Sequence, residues 1–523
     1  MIKGEFSIFE LMRWTWEGLN DSVNKLAMTC SVALVLVSAA INAGCSYNPH
    51  RLYDSPEASP HQETPWNPPK QVIEKQEVFI AKASEAEKKA SQIPPEYLNN
   101  LQKLGLSDII DIALLNSKQT RQAWAQARAA AAVYGSERGR YMPDINAAAS
   151  GSQQRNAVGG QIISTSSRTY SANASLSWLI FDFGGRKASV EATSEALYAA
   201  DWNHNAAIQN VILQVQQAYY DYFATKGLLD AQQASVKEAQ TNLDAAEDRH
   251  KSGVATIADV LQARTALSQS TLALVTLQGR IMTTRGVLAT AMGLPANTSY
   301  DIDLPVAAPP IERTKKTVDE YLDTALRERP DLAAARAQAL EAEAKARAVR
   351  AQGYPSISLN GSIGKLYFDN SPKAISTNSA IIGLSIPLFT GFSHQNDILA
   401  ARAQQDAAYA NAQNVRDLVT LQVWTSYYNF ETTDKLVSTI NDLIESAAQN
   451  HEVAVGRYKA GVGSILDLLT AQAALENARA QQIQARSLWW VALAQLAHDT
   501  GTLEASSPSG KGSLKKTDNK GEK

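Results

Sequence analysis

The sequence predicts a chain of two structural repeats, each a β-hairpin of the membrane-barrel type followed by a long α-helical coiled-coil hairpin. Three observations predict it. Arg249 to Asp259 reads RHKSGVATIAD and Arg457 to Asp467 reads RYKAGVGSILD, the same Gly-containing break between Ala-rich helical runs, 208 residues apart. The helical run before each break has roughly 60 residues, longer than a globular domain uses and in need of a coiled-coil or bundle partner. Ahead of each run the hydrophobic period drops from helical to two.

Composition sets the outer bounds. The chain has 523 residues, with 49 basic and 52 acidic side chains and a net charge of −3. That balance leaves no electrostatic footprint for nucleic acid. Repetition argues for one body of two halves rather than several domains. The two cysteines, Cys30 and Cys45, both precede the body, which therefore has no disulfide framework or cysteine metal cluster. Met28 to Gly44 is an apolar run preceded by Arg13 and Lys25, as in a signal peptide over residues 1–44. It is short for a spanning helix of ~20 residues. Ala43-Gly44-Cys45 resembles a bacterial lipoprotein cleavage site, although Asn42 stands where an aliphatic residue is usual. That resemblance implies a lipidated, palmitate-bearing Cys45; the alternatives are an unlipidated signal peptide or an uncleaved anchor. Residues 45–106 then hold a Pro-rich linker and a polar Lys/Glu-rich surface segment.

The first repeat is expected over 107–295. Ser107-Asp108 starts a helix that runs to about Tyr141 and is ended by Pro143. A strand hairpin follows at 145–181. Ile145, Ala147 and Ala149 alternate with Asn146, Ala148 and Ser150. Tyr170, Ala172, Ala174, Leu176, Trp178 and Ile180 share one face, and Ser171, Asn173, Ser175 and Ser177 the other. Such segments mark barrel strands between lipid and lumen, although a soluble hairpin alternates in the same way. Phe181-Asp-Phe-Gly-Gly-Arg186 opens the coiled-coil hairpin 186–292. Its return helix of about 35 residues ends at Gly293-Leu294-Pro295. Stacked end to end, the first helix and the return helix match the outgoing one in length.

A connector at 296–317 leads to the second repeat, 318–501. Leu322 to Arg350 reads as its first helix, and Tyr354-Pro355 stands in the place of Tyr141-Met-Pro143. In the strand hairpin 356–389, Ile357, Leu359 and Ile363 oppose Ser358, Asn360 and Ser362. Ile382, Leu384, Ile386 and Leu388 oppose Gly383, Ser385 and Pro387. Phe389-Thr-Gly-Phe392 opens the coiled-coil hairpin 393–499, and residues 502–523 read as a disordered tail. Phe389, Tyr427 and Arg457 each lie 208 residues after Phe181, Tyr219 and Arg249. Aromatic residues gather at the strand ends (Tyr141, Tyr170, Trp178, Phe181, Tyr354, Tyr367, Phe368, Phe389), as in an interfacial girdle. Four strands cannot close a barrel, and unpaired edges do not survive in lipid. Either the strands lie outside the membrane or several copies share one barrel.

The duplicated order, the junctions FDFGGR and PLFTGF and the two tips together resemble the TolC family of outer-membrane efflux and secretion ducts, over about Ser107 to Gly501. The lipoprotein-like start resembles the lipoprotein branch found in RND-type tripartite systems. The resemblance implies a homotrimer whose three chains form a 12-strand membrane barrel and an α-helical tunnel. It implies a periplasmic adaptor, an inner-membrane pump and an outer-membrane, lipid-anchored location. The expected function is passive export of small molecules, such as drugs, toxic compounds or ions. A duct for type I protein secretion is one alternative, and a periplasmic coiled-coil scaffold or adhesin without transport is another. By position, Asp259 and Asp467 would line the constriction, Tyr458 would gate it, and Thr470 stands where a second ring acid is found in relatives. Gly463 replaces an Arg that locks the closed state in some members. Gly253, Val254, Ala460, Gly461 and Val462 would meet the adaptor. Capping of the return helices is the plainer role for Asp259 and Asp467. No Gly-x-Ser-x-Gly elbow, His-Glu-x-x-His pair or phosphate loop is present, and the seven histidines are scattered. No catalytic residue, cofactor or metal is expected; His204 and His498 read as surface or helix-packing residues.

Overall fold

The computed structural model describes residues 104–157, 164–302, 317–369, 371 and 373–503, with a few helical residues between 70 and 78. The chain separates into two units, Met1–Lys89 and Ala90–Lys523, and both repeats lie in the second. The signal segment, Cys45, the linker and the tail beyond 503 lie outside the described residues, as does the connector from 303 to 316.

The elements are α1 (Leu106–Asn116), α2 (Lys118–Gly139), β1 (Asp144–Ala157), β2 (Ser164–Phe181), α3 (Gly185–Lys251) and α4 (Ile257–Ala291). The second repeat supplies α5 (Val318–Glu328), α6 (Pro330–Ala351), β3 (Ser356–Phe368), β4 (Ile375–Ser385), α7 (Ser393–Lys459) and α8 (Ile465–Asp499). The 67 residues of α3 and of α7 give rods of about 100 Å.

Each expected first helix is two helices. Ser117 adopts an extended conformation between α1 and α2, and its hydroxyl accepts from the Thr120 amide to cap α2. Arg329 is also extended between α5 and α6, without a side-chain cap, because the residue before Pro330 is driven out of the helical region. The return helices end against these joints. Gly293 (φ 73°) stands so close to Asn116 that a Cβ would lie 2.8 Å from its Cβ and carbonyl oxygen, and Gly501 (φ 76°) meets the Glu328–Arg329 backbone in the same way. The largest apolar cluster forms beside the first joint, where Ile109 and Ile112 pack with Ile212, Val215, Leu288 and Met292.

The four strands form one antiparallel sheet in the order β1-β2-β3-β4. The helices that continue them, α2, α3, α6 and α7, pack side by side in the same order. Toward the tips the order becomes α4-α3-α8-α7. Among its described residues the second unit is thus a wall four elements wide, open along β1, α2 and α4 on one edge and along β4 and α7 on the other.

The pairing register puts Leu176, Trp178, Leu359, Ile363, Ile382 and Leu384 on one face, with Tyr170 opposite Tyr367 at its far end. On the other face Ser150 bonds Ser171 and Ser362 bonds Ser379, each at 2.8 Å. No helix covers the apolar face among the described residues, and Ile145, Ile363, Ile382 and Leu384 are exposed. From Phe181 to Tyr170 that face rises about 25 Å at barrel-like tilt, the height of a lipid-facing band. Two details differ from the expectation. A bulge at Ile180 brings Phe181 opposite Ile357. Strand β4 starts at Ile375 rather than Ile382 and stops at Ser385, ahead of Pro387, which has no amide to pair. No helix among the described residues is long and apolar enough to cross a membrane.

Candidate channel mouth at the two hairpin tips

Both tips turn by the same backbone device. Gly253 (φ 76°) and Gly461 (φ 78°) follow the outgoing helices in the left-handed conformation. The Val254 amide donates to the Arg249 carbonyl and the Val462 amide to the Arg457 carbonyl, each at 3.0 Å, which satisfies the frayed helix ends. A Cβ on Gly253 would meet nothing, so the glycine is needed for its φ and not for room. Val254, Val462 and Ala460 point outward and are exposed.

The return helices start with capping boxes. Thr256 and Ser464 are the N-caps, and Asp259 and Asp467 complete the boxes three residues on. Asp259 accepts from the Thr256 amide at 2.8 Å, and Asp467 from the Ser464 amide at 3.3 Å. Both acids therefore belong to the cap, although neither is the N-cap itself. Hydrogen bonds from the Ser464 hydroxyl and amide, with Arg457 nearby, hold the Asp467 carboxyl below the usual carboxylate range.

Tyr458 is buried between the two hairpins of one chain, against Ile465 and Leu468. The Arg249 guanidinium lies 4.8 Å over its ring and donates to its carbonyl at 2.8 Å. Burial raises the pKa of the phenol, and its hydroxyl has no hydrogen-bond partner among the described residues. Arg249 is the tip residue that sequence reasoning missed. The aligned tips do offer one signal: Arg249 and Arg457 match while His250 and Tyr458 differ. Thr470 lies farther along α8, in a groove of about 750 Å³ against α4 lined by Leu261, Gln269, Leu466, Gln472 and Glu476.

Two buried arginines fasten the wall elsewhere. Arg186, at the sheet end of α3, donates to the carbonyls of Ile180 (2.9 Å) and Arg140 (3.4 Å) and lies 4.9 Å over Tyr141. Arg329, at the second joint, pairs with Asp331 and donates to the Asp499 carbonyl at 3.2 Å. His498 bridges Asp499 (3.0 Å) to Asn210 (2.9 Å), so it ties α8 to α3. No group of three or more His, Cys, Asp or Glu side chains among the described residues could hold a metal ion.

A wall with two open edges, an uncovered apolar sheet face and capped tips at the far end is the build of an outer-membrane duct subunit. The family model described as outer membrane efflux protein matches residues 109–294 and 321–502, and the chain belongs to that family. Protein CyaE of Bordetella pertussis is 29% identical over 413 residues, covering 76% of this chain and 86% of that protein. The toluene efflux pump outer membrane protein TtgC of Pseudomonas putida is 24% identical over 460 residues, covering 86% and 91%. Among solved structures, the outer membrane protein VceC from Vibrio cholerae shares the fold with a TM-score of 0.66 at 20% identity, covering 76% of this chain and 96% of that one. The open state of the Neisseria gonorrhoeae MtrE outer membrane channel does so with a TM-score of 0.63 at 23% identity, covering 76% and 88%.

Proposed function

We propose that this chain is the outer-membrane duct of a tripartite efflux assembly, a passive homotrimeric channel that delivers small molecules to the exterior. The observation that carries the reading is the matching order of strands and helices. Because β1-β2-β3-β4 runs parallel to α2-α3-α6-α7, closing the sheet edge to edge between copies closes the helical layer as well. Two copies would give eight strands, whose interior side chains fill. Three give twelve and a lumen lined by the Ser and Asn face, with the apolar face toward outer-membrane lipid. In this trimer the six tips form one ring at the periplasmic mouth. Asp259 and Asp467 ring it with negative charge and favour cations, with Thr470 farther up the tunnel. Gly253, Val254, Ala460, Gly461 and Val462 meet a periplasmic adaptor, which connects to an inner-membrane pump. Arg249 clamps Tyr458 and holds the two hairpins of each chain together, a role suited to a tip with Gly463 in place of a locking Arg. Lipid on Cys45 adds an anchor. The relatives' names speak of toluene efflux and of pyoverdine export; a shared exit of this kind leaves selection to the pump.

The test is membrane fractionation with gel migration before and after heating, followed by planar-bilayer conductance. Outer-membrane recovery, a heat-sensitive trimer and a cation-preferring pore are expected. A monomer confined to the soluble periplasmic fraction sinks the reading.

A further inference from the structure

The two repeats keep a constant offset of 208 residues from strand end to tip. Every position in the α3–α8 contact therefore has a counterpart position on α7 or α4. Within one chain α3 and α8 lie side by side, whereas α7 and α4 stand on opposite edges of the wall. We infer that α7 of one copy docks on α4 of the next in the register of the α3–α8 contact, with Tyr428 seated over Gly279 and against Met282. This rests on the trimeric reading above and specifies which residues meet.

The α3–α8 contact supplies the template. The Ser487 hydroxyl donates to the Tyr220 carbonyl at 2.9 Å, and the Tyr220 ring stacks on Trp490 at 5.7 Å and 6°. Ile483 packs over Gly227, and Arg479 pairs with Glu238. The counterparts on α4 are Gly279, Met282, Val275 and Thr271, and those on α7 include Tyr428, Lys435 and Ser446. Thr271, Val275, Gly279 and Met282 are spaced by fours and a three, a coiled-coil seam, and all are exposed. Exposure shows that the second contact is missing from the single chain. Tyr220 is 7% exposed while its counterpart Tyr428 is 41% exposed, and Met282 is 60% exposed. Gly279 is the sharpest sign. Glycine inside a helix costs about 1 kcal/mol relative to alanine, yet a Cβ at Gly279 would meet nothing within 4 Å in its own chain. A tyrosine from a neighbouring copy gives that vacancy a purpose, and the Met282 sulfur suits the ring edge. At the tips the same operation sets Arg457 against His250 of the next copy, as Arg249 lies over Tyr458 within one chain.

The test is oxidative cross-linking in outer membranes, since a disulfide needs Cα atoms within about 7 Å. The double variant Gly279→Cys/Tyr428→Cys should give covalent trimers that neither single variant gives. Leu272→Cys/Tyr428→Cys, one turn pair away, should stay unlinked. Cross-linking of the slipped pair, or of neither pair in a protein that still migrates as a heat-sensitive trimer, overturns the register and leaves the trimer standing. If the double variant does not assemble, Gly279→Trp decides: at least a tenfold loss of trimer is expected, with Gly279→Ala far milder, and full trimer yield with Trp overturns the proposal. A wild-type chain that never trimerises removes both the register and the reading beneath it.

Discussion

The two repeats share a backbone but are fastened in different places. The first is tied at its sheet end, where Arg186 draws together the carbonyls of Ile180 and Arg140. The second has His394 and Thr390 at the positions of Arg186 and Asp182; there the His394 amide bonds the Thr390 hydroxyl and the His394 ring packs against Gly353, with no buried arginine at this end among the described residues. At the joints the pattern inverts. The first joint is neutral, with Asn116 and Ser117 capping locally. The second buries Arg329 among Asp331, Asp499 and His498. The difference teaches that apolar pattern and chain breaks set the shared frame, while the polar fastenings are local and can sit at either end of a repeat.

The comparison breaks most visibly at the second joint. Arg329→Met strips Asp331 and the buried Asp499 of their partner and should cost about 3–5 kcal/mol, read as a lower thermal midpoint. Ser117→Ala at the first joint should cost about 1 kcal/mol; equal losses would erase the contrast. The second joint also has a pH signature. Burial acts to raise the Asp331 pKa, but the Arg329 hydrogen bonds and charge outweigh it and the net shift is downward. A depressed folded pKa means that the joint's contribution is complete above the ordinary value and is lost as pH falls through the depressed one. Melting should therefore hardly change from pH 7 to 5 and should fall only in stronger acid. At the sheet end, Arg186→Met should cost about 2–3 kcal/mol by orphaning two carbonyls, whereas His394→Ala should stay within about 1 kcal/mol. At the tips, Arg249→Ala should loosen the hairpin pair by about 1–2 kcal/mol and raise open-channel conductance, while His250→Ala should leave the pairing of the two hairpins within one chain unchanged. Asp467→Asn should weaken cation preference in bilayers, and unchanged selectivity would take Asp467 away from the mouth. The smallest effect belongs to Tyr458→Phe. Its hydroxyl has no partner among the described residues, so its loss should be neutral or stabilising by up to about 1 kcal/mol.

Much of the frame was legible because periodicity reports burial directly. The run of small polar residues opposite Tyr170 to Trp178 could only be the second face of a strand. The tips were legible because Gly253 and Gly461 recur with the same neighbours. The bulge at Ile180 was not, since an extra residue in a ladder shows only against its partner strand. The first joint was hidden because Ser117 costs little inside an Ala-rich helix. The second is marked by Arg329-Pro330, but a proline at the first position of a helix does not by itself break an Ala-containing helical run. Asp259 and Asp467 were readable as capping acids from Thr256 and Ser464 three residues before them. The Arg249–Tyr458 clamp joins residues 209 apart on two hairpins, and no local pattern announces such a contact.

The joints have a mechanical consequence. Among the described elements only α3 and α7 run unbroken from the sheet to the tips; α4 and α8 end where Gly293 abuts Asn116 and Gly501 abuts Glu328 and Arg329, at the two bends. If three chains close a ring as proposed, six continuous struts would carry tension from membrane to mouth, and six shorter staves would lean against them at the glycine contacts. A pull on the tips would then tilt the staves about those contacts while the struts keep the membrane end at constant girth, so the mouth would widen without loosening the seal in the lipid.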